Sequence, residues 1–77
     1  MTNTKLLEDR IKQSGKKKKY LAAKCGLSYA GLRNCILNRA EFRASHIQVL
    51  CDELGITNAK DKEAIFFAQS GALKAQR

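Results

Sequence analysis

Apolar residues recur along the chain at spacings of three and four, and glycines fall near the ends of these runs, a rhythm that predicts helices joined by short turns. Leu7 and Ile11 stand four apart with Leu6 beside them; Thr4 or Asn3 can cap the start and Gly15 follows the end, which predicts a helix over about 4–14. Leu21, Ala22 and Cys25 follow a lysine run and stop at Gly26, predicting a short second helix over about 18–25. Ser28 then offers a capping oxygen to a third helix, about 28–37, with Leu32, Cys35 and Ile36 turned inward. A polar, basic connection from Asn38 to Arg43 leads to the clearest stripe, Ile47, Leu50, Cys51 and Leu54, ending at Gly55. Asn58 and Asp61 have the spacing of a weak capping box, and Ala64, Ile65, Phe67 and Ala68 supply the apolar side of a fifth helix. Beyond Gly71, residues 71–77 are expected to fray. No alternating run long enough for a strand occurs, so the expected fold is all-α, with residues 1–70 as a single domain.

Size narrows what such a fold can do. A chain of 77 residues supports one modest core, because a domain near this size buries only about 60% of the surface its unfolded chain exposes. That leaves little space for a deep, shell-supported substrate pocket, and a binding module is the better use of the length. Catalysis is not expected: one histidine and scattered carboxylates give no acid–base pair or activated nucleophile, so His46 reads as a residue near the start of the fourth helix and Ser45 as its cap. The composition, 44% hydrophobic and 29% charged with no proline, is that of a folded helical domain. No apolar run approaches the roughly 20 residues that cross a bilayer, nor does Met1 to Lys5 lead into a signal-like stretch, so a cytoplasmic protein without a membrane partner is expected.

Three cysteines cannot all pair within one chain, and Cys25, Cys35 and Cys51 each occupy a position where the helical pattern asks for an apolar residue. They are expected to be reduced core residues. A zinc site would need a C-x-x-C pair or a histidine at ligand spacing, and neither is present; no metal or cofactor is expected.

Charge changes the picture most. The net charge is +8, of which residues 1–15 contribute +1 and residues 16–43 contribute +7, while residues 44–77 balance to zero. A solubilising charge has no reason to concentrate in one central segment; a surface that faces a polyanion does. The run Lys16 to Lys19 alone would pass as a solvated stretch, but Lys24, Arg33, Arg39 and Arg43 extend it well beyond a run.

Within that segment, KKYLAAKCGLSYAGLRNC from Lys18 to Cys35 has what two helices crossing at a tight turn require. Ala22 lets the helices approach. Gly26 suits a left-handed bend. Leu21, Cys25, Leu27, Leu32 and Cys35 point inward and set the angle between the helices. The sequence here resembles the Cro and C1-repressor type of helix-turn-helix domain, the XRE-like regulators of temperate phages and mobile elements of bacteria. The likeness covers most of the chain: L-A-x-x-C-G-L-S at Leu21 to Ser28, Leu32 in the following helix, I-x-x-L-C-x-x-L-G-I from Ile47 to Ile56, and AIFFA at Ala64 to Ala68.

The resemblance implies a lambda-repressor-like bundle of about five helices, an operator-binding transcription regulator, and double-stranded DNA and often a second copy of the chain as partners, in the nucleoid of a bacterial host cell. Carried over by position, it places base reading on Ser28, Tyr29, Ala30, Arg33 and Asn34. Arg33 suits guanine, Asn34 adenine and Ala30 a thymine methyl, whereas Tyr29 is open to stacking, phosphate contact or covering the helix end. It places a phosphate contact on Lys18 at a helix N-terminus, strengthened by Lys16, Lys17 and Lys19; Arg39 and Arg43 across the groove are open to holding backbone, the favoured role, or entering the minor groove, and Lys24 is more often solvated. Gly31 departs from a good recognition helix: it costs about 1 kcal/mol relative to alanine and is expected to thin the reading face. A second function class follows from that thinness, an antirepressor or modulator that uses the scaffold to bind a repressor protein. Phe66, Phe67 and Leu73 either complete the core or form a small dimer patch, the core being the commoner place for aromatics at helical spacing.

Overall fold

Three helices of the described residues begin at a side chain that caps an open N–H of the first turn, and three end at a glycine in the left-handed region. The structure, a computed structural model, describes residues 1–68, and across them it is all-helical. The five helices are α1 (Thr4–Ser14), α2 (Lys18–Cys25), α3 (Tyr29–Ile36), α4 (Ala44–Leu54) and α5 (Ala59–Phe66). Asn3 Oδ1 accepts the Leu6 N–H at 3.1 Å, Ser28 Oγ the Gly31 N–H at 2.9 Å, and Asn58 Oδ1 the Asp61 N–H at 2.7 Å. At α4 the sequence-based expectation of a Ser45 cap fails: Arg43 stands at the N-cap, and its N–H donates to His46 Nδ1 at 3.3 Å.

The α2–α3 connection is three residues long. Gly26 has φ 73° and ψ 25°, and the Gly26 and Leu27 N–H groups bond back to the Ala23 and Ala22 carbonyls at 3.1 and 2.9 Å. A Cβ at this φ would strain the backbone, so glycine is what lets the chain reverse here. The end of α3 solves the same problem with Asn38, the one non-glycine at positive φ (64°) among the described residues. Its side chain then does something glycine could not: Asn38 Oδ1 accepts the Thr2 N–H and Asn38 Nδ2 donates to the Thr2 carbonyl, both at 2.8 Å.

The core gathers one stripe from every helix: Leu7 and Ile11, Leu21 and Ala22, Leu32 and Ile36, Ile47, Leu50, Cys51 and Leu54, then Ile65 and Phe66, with Ile56 from the α4–α5 loop. In this core α2 packs on α3 and α4, while α1 packs on α3, α4 and α5. Cys35 and Cys51 are buried and Cys25 is half-buried against the core; burial pushes all three thiols up, as expected of packing groups.

The phase of α5 departs from the expected one. Phe66, not Phe67, enters the core, meeting Phe42 edge to face with ring centroids 5.5 Å apart, while Phe67 is 50% exposed and Ala64 is exposed. The cause is distant in sequence, because Phe42 comes from the loop before α4. The expectations for Leu73 and for residues 71–77 lie outside the described residues.

Two tethers close the bundle. Asn3 N–H donates to the Ile65 carbonyl at 2.7 Å and Ala68 N–H to the Met1 carbonyl at 2.8 Å, so the first residues hold the end of α5. Arg10 Nη2 lies 3.4 Å from the carbonyls of Leu54 and Gly55 and its Nη1 3.6 Å from Asp61, placing a cation at the negative end of α4. No helix among the described residues is long and apolar enough to cross a membrane.

Candidate nucleic-acid interface

Eight residues make α3 just over two turns, and its sequence divides cleanly between two sides. Leu32, Cys35 and Ile36 are buried, whereas Tyr29, Ala30, Arg33 and Asn34 are exposed, as is the cap Ser28. The inward set pins the helix to the bundle, and the outward set, the five positions picked from sequence, therefore faces solvent together. Thr4 Oγ1 donates to the Ile36 carbonyl at 2.6 Å, and with the Asn38–Thr2 pair this ties the far end of α3 to the chain's first residues. A helix this short holds its orientation by such tertiary ties rather than by its own propensity.

Gly31 does not sit as expected. A Cβ built there would point into the turn, 3.2 Å from Ser28 Oγ and 3.7 Å from Leu27 Cβ. The glycine therefore makes room for the Ser28 cap bond, and the missing side chain is not one that the outward side has lost.

The basic positions fall into two groups. At the entrance to α2, Lys16 Nζ donates to both Glu53 Oε1 and the Glu53 carbonyl at 2.8 Å, and Lys18 Nζ reaches Glu8 Oε1 at 2.8 Å and Oε2 at 3.0 Å. These are not loose surface pairs: the Lys16 and Glu53 side chains are 38% and 19% exposed, against 85% and 50% for Lys5 and Asp9 on α1. Tyr20 completes the first site, its hydroxyl donating to Glu53 Oε1 at 3.0 Å and its ring lying 6.0 Å from the Nζ atoms of both Lys16 and Lys24. The Lys16 hydrogen bond, then that of Tyr20, holds the Glu53 carboxyl below its ordinary range, and the same Lys16 contact raises the amine.

Lys17, Lys19, Lys24, Arg33, Arg39 and Arg43 form the other group. All are exposed, and among the described residues none is ion-paired. Lys17 occupies the α2 N-cap without a side-chain cap bond, so the first N–H groups of α2 remain open beside these amines. Arg39 is fixed at its backbone, where its N–H bonds to the Asn34 carbonyl at 2.8 Å; Arg43 is fixed as the N-cap of α4.

Structure thus keeps the five base-reading candidates together on one exposed side, and finds two of the six phosphate candidates, Lys16 and Lys18, already engaged. Glu8, Glu53, Tyr20 and Asn38 were not picked out from sequence. Nothing in local spacing marks a carboxylate that pairs across 10 or 37 residues; the one available signal was that the chain has few acids for so many bases. No family model, curated protein or solved structure matches this chain, so its function is argued from its own residues.

Proposed function

We propose that this protein is a Cro-like, helix-turn-helix transcription regulator of phage or prophage type that binds a double-stranded DNA operator. In this reading α2 and α3 form the motif, and α3 enters the major groove with Ser28, Tyr29, Ala30, Arg33 and Asn34 toward the base edges. The observation that carries it is the division of α3. Arg33 and Asn34, side chains able to make paired hydrogen bonds to guanine and adenine, project to solvent while the buried stripe holds the helix rigidly. Lys17 and Lys19 beside the open N-terminus of α2, and Arg39 and Arg43 after α3, supply phosphate contacts on either side, with Lys16 and Lys18 available if their carboxylates release them.

Selection of bound duplexes from a random pool, followed by salt titration of the best site, tests this directly. Binding should weaken steeply with salt. Arg33→Ala should cost about 1–3 kcal/mol and relax preference at one base pair, whereas Lys18→Ala should weaken all sequences alike. Half-sites about one helical turn apart would indicate a dimer, to be checked by light scattering. If neither substitution alters binding, this docking is wrong.

One observation favours a second reading. Tyr29, 48% exposed, stands beside Ala30 on the same outward side, an apolar pair that suits a protein partner such as a repressor. Capture of a repressor by a chain that shifts no DNA would support it.

A further inference from the structure

We infer that Glu53 and Glu8 act as internal stand-ins for phosphate, each occupying one lysine at the α2 entrance until a nucleic-acid backbone displaces it. The inference rests on the DNA-binding reading above and assigns that surface a built-in brake.

Geometry supports the role. Each carboxylate approaches its ammonium at 2.8 Å, the distance of a charge-assisted hydrogen bond and the one a phosphate oxygen would adopt. Lys16 gives two of its three donors to Glu53, one to the side chain and one to the carbonyl. Glu53 also stands where its own helix gains nothing from it: in the last turn of α4, where the helix dipole disfavours an acid. Its position is explained by Lys16 and by Tyr20, whose hydroxyl holds the same oxygen at 3.0 Å. Asp52, its neighbour, makes a different contact, accepting from Gln48 Nε2 on its own helix at 3.0 Å.

The two carboxylates come from different elements, α1 and α4, and converge on the two ends of a single three-residue stretch, Lys16 to Lys18. Lys17 between them and Lys19 beyond are unpaired among the described residues. Free protein therefore presents two amines at this entrance, and fully bound protein four. Each exchange of carboxylate for phosphate releases a counterion from the DNA without adding a net cation to the free protein's exposed surface. The device favours partners that offer closely spaced phosphates over isolated anions, because a lone anion gains little by displacing a tethered carboxylate.

The test is fluorescence anisotropy with a short mixed-sequence duplex, titrated with NaCl, on the full chain. Glu53→Gln and Glu8→Gln should each tighten binding about two- to fivefold at low salt, the scale of a partly exposed ion pair. Each should leave the log–log salt slope close to that of the wild type, because the bound chain makes the same phosphate contacts once its carboxylates are displaced. Asp52→Asn, the same charge change one residue away, should tighten binding far less, and Lys16→Gln combined with Glu53→Gln should behave as Lys16→Gln alone. Circular dichroism melts of every variant check that folding is retained. Equal effects of Glu53→Gln and Asp52→Asn, or weaker binding by Glu53→Gln and Glu8→Gln, would overturn the brake while leaving DNA binding intact. A wild-type chain with no salt-dependent affinity for the duplex would overturn both.

Discussion

Charge is held in two ways within the same basic segment. At the entrance to α2, Lys16 and Lys18 are each matched by a carboxylate from another helix; on α3 and the loop behind it, Arg33, Arg39 and Arg43 project with no carboxylate partner among the described residues. The chemistry of the two cations fits the division. A lysine ammonium on a flexible stem can change partners easily, whereas a guanidinium offers a planar fork suited to one oriented acceptor pair. The comparison separates an adjustable grip from a fixed reading surface, on two helices joined by only three residues.

The largest effect should come from undermining the reading surface from below. Leu32 is fully buried beneath the outward side of α3, and Leu32→Ala should cost about 2–5 kcal/mol in urea unfolding, as large-to-small core changes do. Next is the tie at the far end of α3. Asn38→Gly keeps a residue at ease with positive φ but deletes both bonds to Thr2, and should lower stability by about 1–2 kcal/mol. Asn38→Ala should cost more, since it adds backbone strain at the same site. At the near end, Ser28→Ala removes the cap from Gly31 N–H and should cost about 0.5–2 kcal/mol. All four substitutions act on α3 and should leave the Lys16–Glu53 pair intact, visible as an unchanged Glu53 carboxyl resonance.

Acid acts on the other side of the comparison. The folded-state pKa of Glu53 is lowered, so the pair's contribution is complete above the unfolded carboxylate value and disappears as pH falls through the lower, folded one. Carbon-detected titration should find Glu53 protonating below the ordinary range.

Much of this arrangement was legible in the chain. The order of five helices, the turn at Gly26, the Ser28 and Asn58 caps, and the inward and outward sides of α3 all follow from local spacing. What escaped depends on residues far apart. In AIFFA every position is apolar, so periodicity could not choose between Phe66 and Phe67; Phe42, reaching in from a polar loop, made the choice. Gly31 looked like a lost surface contact because sequence carries no direction for a Cβ, and the turn it faces is set by the α2–α3 bend. His46 took the capping role expected of Ser45 through its ring nitrogen, three residues from the N-cap. The matched lysines escaped for the same reason as Phe42: their partners lie on other helices.

The bond from Ala68 N–H to the Met1 carbonyl brings opposite ends of the described chain side by side, and Thr2 beside it is clasped by Asn38. Residues 1–68 thereby form a loop fastened by their own backbone, with α3 hooked to the clasp. A tag fused ahead of Met1 would pull on that fastening, so the placement of a purification handle is itself a perturbation of the helix proposed to read DNA.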